Sequence, residues 1–215
     1  MVKQKVGTLI FVVLVFCFVG TVSVSHATSV TLVPETLENL LSGAAAATAL
    51  MTTPVDYSTM HVEILSQAYT DGDDNYVYLY QIDNALLISE AFIEHFTLNP
   101  FADAGEGTQM GWLTGDMPPE FLPVDQTPWE TGNISAPPQP VVSFSYLALF
   151  DKAVDAGERS AVMYVTSGLP PGVITGNVID GSIGSGDVVG PVPEPSTIAL
   201  LGVGLCLIRR LRRQR

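Results

Sequence analysis

The chain has 215 residues, a formal net charge of −13 at pH 7 and a hydrophobic fraction of 47%. This length fits one ordinary domain with additional segments. All 22 acidic residues lie between Glu35 and Glu194, where only Lys152 and Arg159 oppose them. A region this acidic repels the phosphates of nucleic acids, which excludes DNA and RNA as partners. The same high charge predicts a well-solvated exported protein.

The amino-terminal segment has the order of an export signal. Lys3 and Lys5 precede an apolar run at residues 6–20, and small residues follow as far as Ala27. Residues 1–27 are therefore predicted to be a signal peptide that is cut after Ala27. The alternative is an uncleaved anchor, although a transmembrane helix needs about 20 apolar residues.

Residues 28–187 are predicted to form an acidic, β-rich ectodomain. Leucines at helical spacing and a run of alanines predict one helix over residues 35–51. Six β-rich runs follow, and the first two flank a turn cluster, which is typical of a hairpin. Together they predict a mainly β fold, an antiparallel β-sandwich. The runs lie at residues 60–70, 76–84, 87–98, 141–150, 160–167 and 172–180.

The hairpin turn, "DGDDN", is rich in oxygen ligands of the kind that calcium prefers. An EF-hand loop is excluded, because Tyr76 and Ile82 stand where that loop requires glycine and glutamate. The alternative to calcium is a solvated turn, in which Asp, Gly and Asn are the usual residues. No other metal or cofactor is predicted. The oxygen-bearing residues of the turn are Asp71, Asp73, Asp74 and Asn75.

Three tyrosines alternate along the second strand of the hairpin. Tyr76, Tyr78 and Tyr80 therefore share one face of that strand. An exposed stripe of this kind can stack on sugar rings, which makes the three residues a candidate sugar-binding surface. The alternative is that the rings cover the sheet or pack beneath a loop.

Residues 99–140 are predicted to be a long, proline-rich loop that contains one short strand at most. Trp112 and Trp129 lie within it and either fix the loop to the sheets or face a ligand.

No enzyme activity is predicted. Only His61 and His95 remain after removal of the signal peptide, and the serines in "GSIGSG" at residues 181–186 lack the spacing of a nucleophile elbow. Cys17 and Cys206 lie in the terminal apolar segments, so the ectodomain has neither a disulfide nor a cysteine-based metal site.

The carboxyl-terminal part combines a linker, a proline motif, an apolar run and a basic cluster. Residues 180–191 have the composition of a flexible Gly/Ser linker. Thirteen apolar residues, 196–208, predict a membrane helix of about 20 Å, against a hydrocarbon core of about 30 Å. The basic tail, residues 209–215, would stay cytoplasmic and stop translocation. Its cations are Arg209, Arg210, Arg212, Arg213 and Arg215.

The order of these parts resembles the PEP-CTERM sorting signal of bacteria. The matching residues are Val192, Pro193, Glu194 and Pro195, followed by the apolar run and the arginines, so that residues 192–215 form a sorting tail. The resemblance implies that exosortase, an integral-membrane enzyme, recognises the motif and removes the tail, which delivers the protein to the cell surface or to extracellular polysaccharide.

The predicted function is therefore that of an exported surface protein, with a structural or adhesive role linked to extracellular polysaccharide. The alternative is a carbohydrate- or calcium-binding module on a permanent single-span membrane anchor.

Overall fold

The computed structural model describes residues 27–85, 89–105, 107–124, 131–135, 140–145 and 153–193. These residues form two β-sheets in which almost all strand pairs are antiparallel, together with one short helix. The mainly β prediction is therefore confirmed. The predicted signal peptide before Ala27 and the predicted membrane helix at residues 196–208 lie outside the described residues.

The first sheet has six strands, and most of its paired strands come from segments that are distant in the sequence. Its last two strands form a hairpin whose register runs from Pro171 opposite Pro191 to Ile179 opposite Ile183. In order across the sheet, the strands are β1 (Ala27–Thr31), β9 (Thr131–Ser135), β10 (Val141–Ser145), β7 (His95–Asn99), β12 (Pro171–Ile179) and β13 (Ile183–Pro191).

The second sheet contains the predicted hairpin. Its two long strands pair antiparallel, with Thr70 opposite Tyr76 beside the turn, as the sequence predicts. In order, the strands are β2 (Val33–Glu35), β8 (Met110–Leu113), β11 (Met163–Ser167), β6 (Tyr76–Asp83), β5 (Met60–Thr70) and β3 (Ala45–Ala46), and β4 (Met51–Tyr57) also pairs with β5. The pair β2–β8 is parallel.

One hydrophobic core is shared by the two sheets. Tyr80 of the second sheet lies against Phe96 of the first with ring centroids 5.6 Å apart, and Phe96 stacks on Phe144 at 6.4 Å. Val178 and Val188 of the last hairpin belong to the same fully buried cluster. We call this assembly, from Ala27 to Val192, the two-sheet body.

A smaller cluster covers the outer face of the second sheet, so β6 is buried on both faces. Val77 and Leu79 point outward from β6 and are covered by Leu41 and Phe121. The side chains on the opposite face of β6 enter the shared core. The run of aromatic and aliphatic residues at positions 76–80 of β6 agrees with this double burial.

The predicted helix over residues 35–51 is wrong beyond one turn. Helix α1 spans only Leu37–Leu40, and Thr36 caps it by accepting a hydrogen bond from the Asn39 amide over 3.2 Å. The helical path ends at Leu41, whose backbone is extended with φ of −143°, and Gly43 then adopts a left-handed conformation with φ of +69°. The leucines are used to cover the second sheet, and this tertiary contact overrides the helix propensity of the alanines.

The predicted linker at residues 180–191 is also wrong, because residues 183–191 form β13. Two of its three glycines, Gly184 and Gly186, are places of close contact with β4. A Cβ atom at Gly184 would lie 2.4 Å from Val55 Cγ1, and one at Gly186 would lie 2.6 Å from Thr53 Cγ2. The ectodomain therefore extends past its predicted boundary at residue 187.

The predicted loop over residues 99–140 contains two strands, β8 and β9, where the sequence predicts one at most. Trp112 belongs to β8 and packs against the shared core, which supports its role in fixing this segment to the sheets. Trp129 lies outside the described residues.

Candidate functional site

The predicted sorting motif begins where β13 ends. Pro191 is buried, Val192 is partly buried and Pro193 is exposed. The Val192 amide donates a hydrogen bond to the Pro170 carbonyl oxygen over 3.0 Å. Its side chain lies over Gly172, where a Cβ atom would come within 2.5 Å of Val192 Cγ2. Val192, the first residue of the motif, is therefore still part of the folded body.

Side-chain hydrogen bonds join β13 to the second sheet. Thr53 Oγ1 donates to the Asp187 carbonyl oxygen, and Ser66 Oγ accepts from the Val189 amide over 3.0 Å. The Tyr80 hydroxyl donates to the Val189 carbonyl oxygen over 2.8 Å. The strand that leads into the sorting motif, β13, is thus bonded to both sheets.

The other predicted sorting residues lie outside the described residues. They are Glu194, Pro195, Arg209, Arg210, Arg212, Arg213 and Arg215. Within the described ranges, no helix combines the length and the apolar character needed to cross a membrane. The membrane helix at residues 196–208 and the cut after Ala27 stay predictions; Ala27 itself is the first residue of β1.

The interpretation of the tyrosine stripe as a sugar-binding surface is wrong for two of its three residues. Tyr78 and Tyr80 are 0% exposed, because the shared face of β6 points at the opposite sheet. Tyr78 donates its hydroxyl hydrogen to the Leu169 carbonyl oxygen over 2.7 Å. Burial raises the pKa of both phenols far above the ordinary value for tyrosine. Only Tyr76, at the start of the strand, is partly exposed.

In the Asp71–Asn75 turn, the Asp71 carboxylate accepts hydrogen bonds from other residues of the same turn. Asp71 Oδ1 accepts from the Asp73 amide, and Asp71 Oδ2 accepts from Asn75 Nδ2, both over 2.9 Å. The hydrogen bond from the Asp73 amide is the main cause that lowers the pKa of the Asp71 carboxyl. The part of the chain that the structure describes holds no group of three His, Cys, Asp or Glu side chains placed to bind a metal ion. Calcium binding stays a prediction.

The two histidines lie on different sheets, and each has its own partner. His61 Nδ1 lies 2.8 Å from Asp56 Oδ1 on the neighbouring strand. His95 Nδ1 lies 2.8 Å from Ser145 Oγ. The structure does not bring the two imidazoles to one site, and the prediction that the protein is not an enzyme stays a prediction.

A polar groove of about 570 Å³ lies beside the hairpin turn. The structure brings together there residues from four distant parts of the chain. Asp103 Oδ2 accepts hydrogen bonds from Ser167 Oγ over 2.7 Å and from the Gly168 amide over 3.0 Å, which fixes its carboxylate in the wall. We call this feature the Tyr76 groove; its polar lining includes Asp71, Asn75, Tyr76, Asp103, Gln109 and Ser167.

The Tyr76 groove has the chemistry of a site for an uncharged polar ligand. Carboxylate and amide oxygens accept hydrogen bonds from hydroxyl groups, and amide nitrogens donate them. An aromatic ring at the edge supplies an apolar surface with a polar tip. The two carboxylates, Asp71 and Asp103, disfavour an anion.

Sequence reasoning missed two features of these sites. Asp103 falls in the predicted loop and Ser167 ends a predicted strand, so no local motif joins them, and only the fold brings them together. Gly172 looks like an ordinary strand residue, and nothing in its neighbourhood indicates contact with Val192. The sequence offers no local signal for this contact, because it depends on the pairing of β12 with β13.

Residues 191–213 match the family model of the PEP-CTERM protein-sorting motif. This match confirms the resemblance that the sequence shows, and the chain carries that sorting motif directly after its last strand. The motif implies exosortase-dependent export and sorting to the cell surface. A search of curated proteins and a search of solved structures each found no match to the chain.

Proposed function

We propose that this protein is an exported surface protein whose tail is removed by exosortase, and whose body then has a structural or adhesive role linked to extracellular polysaccharide. The single observation that carries the proposal is the PEP-CTERM motif that starts at the end of the two-sheet body. The acidic composition of that body supports a location in water, away from nucleic acid and anionic membrane surfaces.

The chain combines a folded body with a tail that can be removed, and this organisation supports the proposal. The predicted membrane helix holds the protein at the membrane only until the tail is cut, and the chemistry of cutting belongs to exosortase. The body is bonded through β13 up to Val192, so it remains a complete fold when everything after the motif is removed.

Cell fractionation in a Gram-negative host with and without exosortase tests the proposal. With exosortase, we expect the protein in the surface and extracellular polysaccharide fractions. Without it, we expect the protein in the membrane fraction. An identical distribution in the two strains contradicts exosortase-dependent sorting and favours a permanent single-span anchor.

A second candidate function is carbohydrate binding by the Tyr76 groove. The favouring observation is that Tyr76, the one partly exposed member of the tyrosine stripe, lines a groove together with hydroxyl, amide and carboxylate groups. Because Asp71 and Asp103 line it too, we propose a neutral or amino-sugar polymer as the ligand and not an acidic one.

The variant Tyr76→Ser tests this second function. We expect it to lose retention on extracellular polysaccharide from the host, because the ring is the stacking surface. Tyr57→Ser is the matched control, since Tyr57 is 53% exposed and belongs to the β4 end of the hairpin with β5. Equal retention of the wild type, Tyr76→Ser and Tyr57→Ser proteins contradicts sugar binding at the groove.

A further inference from the structure

The first residue of the sorting motif, Val192, belongs to the fold of the two-sheet body. We propose that Val192 is a positioning residue for tail removal: its attachment to the body holds the start of the motif, Val192 and Pro193, in place for exosortase. This inference deepens the sorting part of the proposed function and rests on it.

Two contacts hold Val192, and we call them together the Val192 attachment. The first is the hydrogen bond from its amide to the Pro170 carbonyl oxygen, 3.0 Å long. The second is the packing of its side chain over Gly172 and against the shared core. The absence of a Cβ atom at Gly172 makes room for this packing, because an added Cβ would lie 2.5 Å from Val192 Cγ2 and 2.9 Å from Val192 Cβ.

The Val192 attachment limits which groups of the motif exosortase can bind. The amide of Val192 is already bonded, and its side chain is partly buried, so neither is free to enter an extended peptide groove of the enzyme. Pro193 is exposed and is the first residue of the motif that projects from the body. Proline also fixes its own φ near −65°, which stiffens the exit.

A motif held in this way is preorganised for its enzyme. A flexible spacer would have to be ordered during binding, and each residue that becomes fixed opposes binding through lost backbone entropy. The attachment removes that loss at the first position of the motif.

Two variants uncouple the motif from the body without changing the residues of the motif itself. Insertion of Gly-Ser-Gly-Val after Val192 leaves the attachment in place and still puts a valine before Pro193, but it separates the motif from the body. Gly172→Ala displaces the Val192 side chain and leaves every residue of the tail unchanged. Gly168→Ala is the matched control, because a Cβ atom there meets no atom within 4 Å.

The experiment follows tail removal over time by intact mass, using the full chain in a host that contains exosortase. We expect the insertion and Gly172→Ala to slow removal about three- to tenfold, the effect of leaving one or more residues to be ordered on binding. Gly168→Ala should match the wild type. The unfolding midpoint of the insertion variant should equal that of the wild type, which separates positioning from stability.

Three results would contradict the inference. Removal of the tail from the insertion variant at the wild-type rate, or faster, overturns it while the proposed function stands. A slow insertion variant whose body has also lost stability overturns it in favour of a folding effect. A wild-type chain that keeps its tail overturns the proposed function and this inference together.

Discussion

The last strand of the body and the peptide that follows it differ sharply over a few residues. Val188 and Val189 in β13 are buried, and Val189 is bonded to Ser66 and Tyr80 of the other sheet. Pro193 is exposed. The body is thus held together by contacts between residues far apart in the sequence, whereas the motif is defined by consecutive residues. Changes in the body should alter stability, and changes in the motif should alter sorting.

The largest expected effect on the body comes from a cavity in the shared core. Phe96→Ala removes a ring that packs on Tyr80 and Phe144, and we expect the free energy of unfolding to fall by about 3–5 kcal/mol. Chemical denaturation of the tail-free protein measures it. Phe92→Ala is the control, because Phe92 is 58% exposed. Equal losses in the two variants would contradict the core described above.

A smaller effect is expected where β13 touches β4. Gly184→Ala places a Cβ atom 2.4 Å from Val55 Cγ1, so we expect a loss of about 1–3 kcal/mol in the free energy of unfolding. Gly168→Ala is again the control. If both substitutions are neutral in thermal and chemical unfolding, residues 183–191 behave as the linker that the sequence suggests and not as a strand.

A still smaller effect is expected from one hydroxyl group. Tyr80→Phe keeps the ring and removes the hydrogen bond to the Val189 carbonyl oxygen, and we expect a loss of about 1 kcal/mol. Tyr57→Phe, on the surface, should change nothing measurable. A neutral Tyr80→Phe substitution would mean that this bond does not hold β13 to the second sheet.

Ionisation of the buried phenols should have no effect on stability at neutral pH, and it should destabilise the body only in strong alkali. Burial raises the pKa of Tyr80 well above 10.0 and that of Tyr164 to about 12. Above pH 10 the unfolded chain releases these protons while the folded chain keeps them, so stability falls as pH rises. Unfolding midpoints measured across this range should decline from about pH 10 upward. Constant midpoints there would contradict the burial of the phenols.

Local patterns predicted part of this fold correctly. The hairpin of β5 and β6 was predictable because a polar turn separates two β-rich runs. The sorting motif was predictable because consecutive residues define it, so its information is local. The class, mainly β, followed from the number of such runs.

The errors arose where tertiary contacts override local preference. The alanines after α1 favour helix, but the backbone is already extended at Leu41 and the leucines are needed on the second sheet. The glycines of β13 suggested flexibility, whereas Gly184 and Gly186 are required because β4 lies against them. Composition cannot distinguish these two reasons for a glycine.

The candidate binding site was predictable only in part. Alternation placed the three tyrosines on one face of β6, but it could not tell which face meets the other sheet, and that choice buries Tyr78 and Tyr80. The Tyr76 groove also depends on Asp103 and Ser167, which the fold alone brings to Tyr76.

Intact mass of the protein recovered from cells and medium tests the central claim most directly. The comparison is between the wild type and a variant in which Pro193, Glu194 and Pro195 are changed to alanine. We predict a wild-type form that starts at Thr28 and ends near Pro195, and the loss of this form in the variant. A form that starts at Thr28 and still carries Arg215 in both proteins would contradict sorting by tail removal and would establish a permanent membrane anchor.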